Sequence, residues 1–333
     1  MKATDYYLNL NYVCNERCVF CAADVHTRDR NPRVKREVTL DEVRHWIAGQ
    51  GPGRHDRVSL AGGEPTLHSD LIRIVQLLAK RRPEIILFTN GLRLADDPEF
   101  ARATVAAGVS NYQIAFFGAS ASVHDSVTGV PGSFEKTISA IQTLVLLRRK
   151  KRIRIVIRLL VSRQSLAENP NLVSVIARRT PEIDEISLNR MIFSRSAEES
   201  DAAISWDHAR TSINLAARRV LQHGYRLEFM QIPFCVFDSD LARYIESELH
   251  SRQQRIAQGK EPSSWSLRYL DPQQDGTKEE SCMTRRGLPD VCFHCFYVNS
   301  CQRVEPWYVR RFGTHGLVPL GSKRTDSRNL QPS

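Results

Sequence analysis

The chain has 333 residues, 41% hydrophobic and 25% charged, with a formal charge of +10 and eight cysteines. That length fits one large domain with an appendage, and the composition excludes a disordered or collagen-like chain. The longest apolar run, 153–161, contains arginine and is far shorter than the ~18 uncharged residues of a membrane span, and the N-terminus shows no apolar stretch with a cleavage site. A cytoplasmic protein is therefore expected, and in a reducing compartment clustered cysteines point to metal or cluster ligation rather than disulfides. The basic residues are spread (Arg81 and Arg82, Arg148 to Arg154, Arg178 and Arg179, Arg310 and Arg311) without interleaved aromatics, so they describe a solvated surface more than a nucleic-acid platform. An anionic substrate or acidic partner is the lesser alternative.

In chain order, short β-branched runs at 7–12, 57–61, 85–89, 112–116, 153–161, 185–189 and 226–231 alternate with helical patterns at 40–49, 69–81, 97–107, 134–149, 168–179 and 206–222. This is the signature of βα units around a parallel sheet, with functional residues on the loops after the strands. The expected fold is α/β, a partial (β/α)6 barrel of parallel strands with a small Cys-rich C-terminal module. Thr39 with Glu42 forms a capping box, and Ser133 is read as the cap of the helix that follows it. The expected organisation is a barrel domain over 1–231, a small module over 232–318 and a polar, disordered tail over 319–333.

Cys14, Cys18 and Cys21 lie in CNERCVFC, directly after the first strand. Three thiolates can hold three irons of a four-iron cluster and leave the fourth iron open. Zinc with a fourth ligand such as His26 is the alternative. The spacing C-x3-C-x2-C, with aromatic Phe20 before the last cysteine, resembles the radical S-adenosylmethionine superfamily.

Further segments follow in the order that family leads one to expect. Gly62, Gly63 and Glu64 in AGGEPT look like its GGE motif, which binds the amino group of S-adenosylmethionine. Thr89 and Asn90 in FTNG sit at the barrel mouth. GASASVHDSVTGVPGSFEKT is similar to a stretch of the molybdenum-cofactor and peptide-maturase branches, and in the resemblance Ser120 and Ser122 face the cofactor region while His124 and Asp125 are architectural. Arg158 is read as a partner for the methionine carboxylate, with an outward, solvated side chain as the alternative. The resemblance implies a [4Fe-4S] cluster with an open iron site and S-adenosylmethionine as cofactors. It further implies a reductant such as flavodoxin or ferredoxin, and cleavage to a 5′-deoxyadenosyl radical that abstracts hydrogen.

Cys235, Cys292, Cys295 and Cys301 form a later group that resembles the auxiliary-cluster region of the SPASM and twitch subgroup, implying a second [4Fe-4S] cluster. Zinc also suits four cysteines, and Gln302 departs from the subgroup's pattern after the last spacing. Cys282 is left over, as a substitute ligand, a thiol hydrogen donor or a cysteine without special role. Because the first strand begins by residue 7, with no peptide-recognition domain before it, the expected substrate is a small polar metabolite (sugar, nucleoside or aminoglycoside). A peptide maturase is the alternative, and a zinc-dependent nucleic-acid-binding protein is the second.

Overall fold

The computed structural model describes residues 4–21, 37–190, 202–258, 266–271, 274–281, 289–295, 297, 298, 301, 304 and 306–320, with side chains of 266–281 left aside. Seven parallel strands run in sequence order across one sheet: β1 (Asp5–Asn11), β2 (Arg57–Gly62), β3 (Glu84–Thr89), β4 (Asn111–Phe116), β5 (Arg154–Val161), β6 (Glu185–Arg190) and β7 (Arg226–Met230). They are joined by α1 (Leu40–Gln50), α2 (Leu71–Ala79), α3 (Leu92–Asp96), α4 (Pro98–Ala107), α5 (Ala121–Thr128), α6 (Ser133–Arg148), α7 (Asn169–Arg179) and α8 (Trp206–Gln222). After β7 come α9 (Ser239–Ala257), β8 (Ser266–Asp271), β9 (Gln274–Ser281) and α10 (Pro306–Phe312). The expected α/β partial barrel, six βα units followed by a seventh strand, is what the chain forms.

Within the C-terminal part of the chain, β8 joins the free side of β1 in parallel and β9 turns back antiparallel to it. The two outer strands, β7 and β9, are not paired with each other, so the sheet stays open.

Alternation along each strand separates two environments. Leu8, Leu60, Leu87, Tyr112 and Ile155 are register neighbours from β1 to β5, all fully buried beneath the helices. The opposite face of the sheet is polar: Gln113, Arg158, Ser187, Asn189 and Met230 meet there, next to the rings of Tyr7 and Phe88. An inner face too polar to be core leaves room for a ligand.

Thr39 caps α1 as the sequence indicates, with Glu42 closing the box. Ser133 does not cap α6. Gly132 takes that place with φ 82, and Asp125 reaches over from α5 to accept from the N–H groups of Gly132 (2.6 Å) and Phe134 (2.9 Å) and from the Ser133 hydroxyl (3.0 Å). A carboxylate at a helix N-terminus outcompetes a hydroxyl because it brings charge as well as acceptors.

Candidate active site

The loop after β1 is stitched to two neighbours. The N–H groups of Arg17 and Val19 donate to the carbonyls of Thr128 (2.7 Å) and Val127 (3.0 Å), tying the cysteine loop to the end of α5. On the other side, the Gly63 N–H donates to Asn11 O (2.8 Å), the Glu64 N–H to Val13 O (2.7 Å), and Asn11 Nδ2 to Glu64 O (3.0 Å). The two glycines make this approach feasible. A Cβ on either Gly62 or Gly63 would fall 2.3 Å from a backbone carbonyl oxygen, that of Asn11 or Val13 respectively. On the side where a Cβ would stand, these glycines are thus met by the cysteine loop's own backbone.

Glu64 is buried and its carboxylate is fully engaged. Oε1 accepts from the Thr66 N–H (3.0 Å), the Thr66 hydroxyl (2.7 Å) and the Thr89 hydroxyl (2.8 Å), and Oε2 accepts from the Asn90 N–H (2.7 Å). Burial raises its pKa and these donors oppose the rise. Asn90 extends the network, donating from Nδ2 to Asn15 Oδ1 at 2.8 Å. The structure therefore brings Cys14, Cys18, Cys21, Gly62, Gly63, Glu64, Thr89 and Asn90 into one bonded unit at the strand ends. Phe20 packs edge-on against Phe117 at 5.5 Å and fixes the loop to the barrel wall.

Ser120 is exposed on the loop after β4, with its hydroxyl 3.1 Å from that of Ser122. Arg158 points into the barrel. It donates to Asn189 Oδ1 (2.8 Å) and Gln113 Oε1 (3.3 Å), lies 3.8 Å from the Met230 sulfur and stacks over Phe88 at 5.0 Å. These hydrogen-bonding partners are neutral, while the carboxylates of Glu228 and Glu185 act on the guanidinium by charge. His124 is fully buried, accepts from the Phe117 N–H at 3.2 Å and is surrounded by Phe116, Phe117 and Phe134; it is architectural, and burial holds its pKa down to about 4. Glu16 was not singled out in the sequence, although an acid between two cysteines is a visible signal. It is buried, accepts from the Cys18 thiol at 3.3 Å, and burial pushes it up to about 8.

The three thiols interact electrostatically with one another, and burial drives Cys14 up to about 12 and Cys18 higher still. Thiols so placed become thiolates only with a metal to offset the charge. A donor set of three separate thiols on one loop fits a multi-iron cluster, in which each binds a different iron. His26 and Cys282 lie outside the described residues.

A second group forms beside the barrel. Cys235 sits on the 3-10 turn Phe234–Val236 after β7, Cys292 on the turn Asp290–His294, and Cys295 and Cys301 follow. All four line one cavity whose other walls are apolar, among them Phe234, Val291, Val304 and Leu317. They sense one another's charge, and burial pushes Cys235 up to about 11 and Cys301 up to about 12. Among the described residues, the pocket is lined by four thiols and otherwise apolar side chains, which suits a fully ligated cluster. Nearby, Arg190 at the end of β6 is buried against the rings of Trp307 (4.8 Å), Trp206 (5.6 Å) and Tyr308 (5.9 Å), a contact the sequence did not announce.

Residues 8–165 match the family model described as Radical SAM superfamily. The chain is 32% identical over 131 residues to the AdoMet-dependent heme synthase of Methanosarcina barkeri, covering 39% of this chain and 36% of that protein. It is 32% identical over 135 residues to the mycofactocin maturase MftC of Mycolicibacterium smegmatis (40% and 32%), and 34% identical over 145 residues to the GTP 3',8-cyclase of Synechococcus elongatus (42% of each). These matches span less than half of the length of each relative. Among solved structures, anSMEcpe with bound AdoMet superposes with a TM-score of 0.58 at 14% identity, covering 81% of this chain and 72% of that one. Streptococcus suis SuiB bound to its precursor peptide SuiA gives 0.54 at 14% identity, over 82% and 58%. At such identity the likeness is one of fold.

Proposed function

We propose that this chain, which belongs to the radical S-adenosylmethionine superfamily, holds its catalytic cluster through Cys14, Cys18 and Cys21 and modifies a peptide. The observation that carries the assignment of the first site is the bonded unit of cysteine loop, GGE turn and Thr89–Asn90, assembled from three strand ends by backbone and side-chain hydrogen bonds no spacing argument requires. When bound, the cluster and S-adenosylmethionine supply one-electron cleavage to methionine and a 5′-deoxyadenosyl radical. The chain's part is to chelate and orient. Glu64 holds the ends of β2 and β3 in place and, with the backbone of Gly62 and Gly63, forms the seat for the methionyl amino group. Thr89, Asn90 and Ser120 complete the cofactor's surroundings, Phe20 closes the loop, and Arg158 takes a carboxylate inside the barrel.

Cys235, Cys292, Cys295 and Cys301 bind the auxiliary cluster, in a cavity whose apolar walls exclude water. Of the two substrate classes expected from the sequence, the peptide is the better supported. The mycofactocin relative is a maturase, and two structures of the same fold, anSMEcpe and SuiB, are known with peptides bound. The test is turnover of the anaerobically reconstituted protein with reductant and S-adenosylmethionine. Short peptides encoded beside its gene are expected to raise 5′-deoxyadenosine formation and gain a mass change. Stimulation by sugars or nucleosides alone would restore the small-metabolite reading.

A further inference from the structure

Helix α8 faces the C-terminal cysteine group with several side chains from its first turns. The Trp206 N–H donates to the Tyr308 hydroxyl at 2.8 Å, and the two rings stack at 5.7 Å. Asn214 Nδ2 donates to Val236 O at 2.9 Å, while its Oδ1 accepts from the Asp238 N–H at 2.7 Å. Between them, Arg210 sends Nη2 to Cys235 O (2.8 Å) and Gly316 O (3.1 Å), and Nη1 to Val236 O (3.0 Å). Arg210 and Asn214 are four residues apart and so share one helix face.

A single guanidinium thus clamps two segments far apart in sequence, the turn that carries Cys235 and the turn at Gly316. Leu317, directly after Gly316, lines the same cavity as the four cysteines. The fit at Gly316 is tight: its φ is 80, and a Cβ there would lie 2.5 Å from Asp207 Oδ1. Carbonyl oxygens are neutral, so the bonds orient the guanidinium without cancelling its charge. Asp238 is occupied by Arg218 at 2.6 Å, and among the described residues Arg210 forms no ion pair.

We propose that Arg210 is a positioning residue of the C-terminal cluster, which locks the Cys235 turn to the Gly316 turn and sets beside the cluster a positive charge that favours its reduced form. The inference rests on the reading that the four cysteines hold an iron–sulfur cluster. Physically, a four-thiolate cluster is anionic and gains one more negative charge on reduction, so a half-buried cation fixed beside its Cys235 turn raises its potential.

The test uses the full chain with Cys14, Cys18 and Cys21 all replaced by Ala, reconstituted anaerobically, so that only the C-terminal cluster is read. Iron and sulfide are counted, and the midpoint potential is taken from a redox titration followed by electron paramagnetic resonance. Arg210→Gln is expected to keep its iron and to shift the reduction equilibrium about tenfold toward the oxidised form, about 59 mV for one electron. Arg210→Lys, which keeps the charge without the planar fork, is expected to recover most of that shift. An unchanged potential in the Gln protein overturns the proposal, as does a Lys protein that behaves like the Gln one. If the Gln protein holds no iron, the Lys protein decides. Iron bound near the unsubstituted potential supports the proposal, and iron lost or bound at a lowered potential overturns it. A parent triple variant without iron removes the cluster reading itself, a failure recognisable before Arg210 is touched.

Discussion

Replacing Gly63 by Ala puts one methyl carbon 2.3 Å from the carbonyl oxygen of Val13 and 2.7 Å from its carbonyl carbon. Comfortable contact needs about 3.5 Å, so one backbone must retreat by about 1 Å. No rotamer change relieves it, because both atoms belong to the main chain. The retreat opens the bonds from the Gly63 N–H to Asn11 O and from the Glu64 N–H to Val13 O, 2.8 and 2.7 Å long. At roughly 1–3 kcal/mol for each of the two buried N–H groups left without a partner, the cost is about 2–6 kcal/mol, and it falls on the segment that leads into Cys14. Gly49 in α1 is the control. A Cβ there meets nothing within 4 Å, and Gly to Ala inside a helix stabilises by about 0.5–1 kcal/mol. The assay pairs a thermal midpoint with iron per chain after anaerobic reconstitution. Gly63→Ala is expected to melt earlier and to lose the iron of the first site, while Gly49→Ala keeps its iron and melts no earlier than the parent. A Gly63→Ala protein with full iron and the parent's melting temperature would refute the reasoning.

Asp125→Ala removes the acceptor of three donors at the start of α6 and is expected to cost about 2 kcal/mol, the upper end for a lost cap; an unchanged urea midpoint would show that Ser133 caps after all. His124 gives a pH dependence. Its pKa is held at about 4 in the folded chain by burial, against about 6.5 when unfolded. Below pH ~6.5 the unfolded chain takes up a proton that the folded chain refuses. Stability fully present above that pH is therefore lost progressively down to about pH 4, by about 3 kcal/mol. His124→Asn should flatten the fall in melting temperature over that window, and an identical slope in both proteins would contradict the assignment.

The seven parallel strands were legible because short runs of buried apolar residues, such as IVI in β5, recur between amphipathic helical segments. β8 and β9 were not, since RYLD and DGTKEE carry neither alternation nor an apolar run; their place is set by the free edge of β1. Short α5 escaped notice for a similar reason, its sequence ASVHDSVT being poor in strong helix formers. The Ser133 cap was misread because the local pattern fits, whereas the true acceptor comes from the preceding helix. The cysteine spacings announced both groups, while Arg210 and Asn214 carry no motif: their role arises only when α8 is laid against the Cys235 turn. Likewise, GGE could be read as a motif, but not that its glycines serve the approach of Asn11 and Val13.

The most direct test of the account is cofactor cleavage by the reconstituted protein compared with Cys18→Ala. With S-adenosylmethionine and a strong reductant, the unsubstituted chain is expected to form 5′-deoxyadenosine and methionine in equal amounts, and the Cys18→Ala protein is expected to form neither above background while keeping the iron of the C-terminal site. Equal cleavage by the two proteins would contradict the claim that CNERCVFC holds the radical-generating cluster.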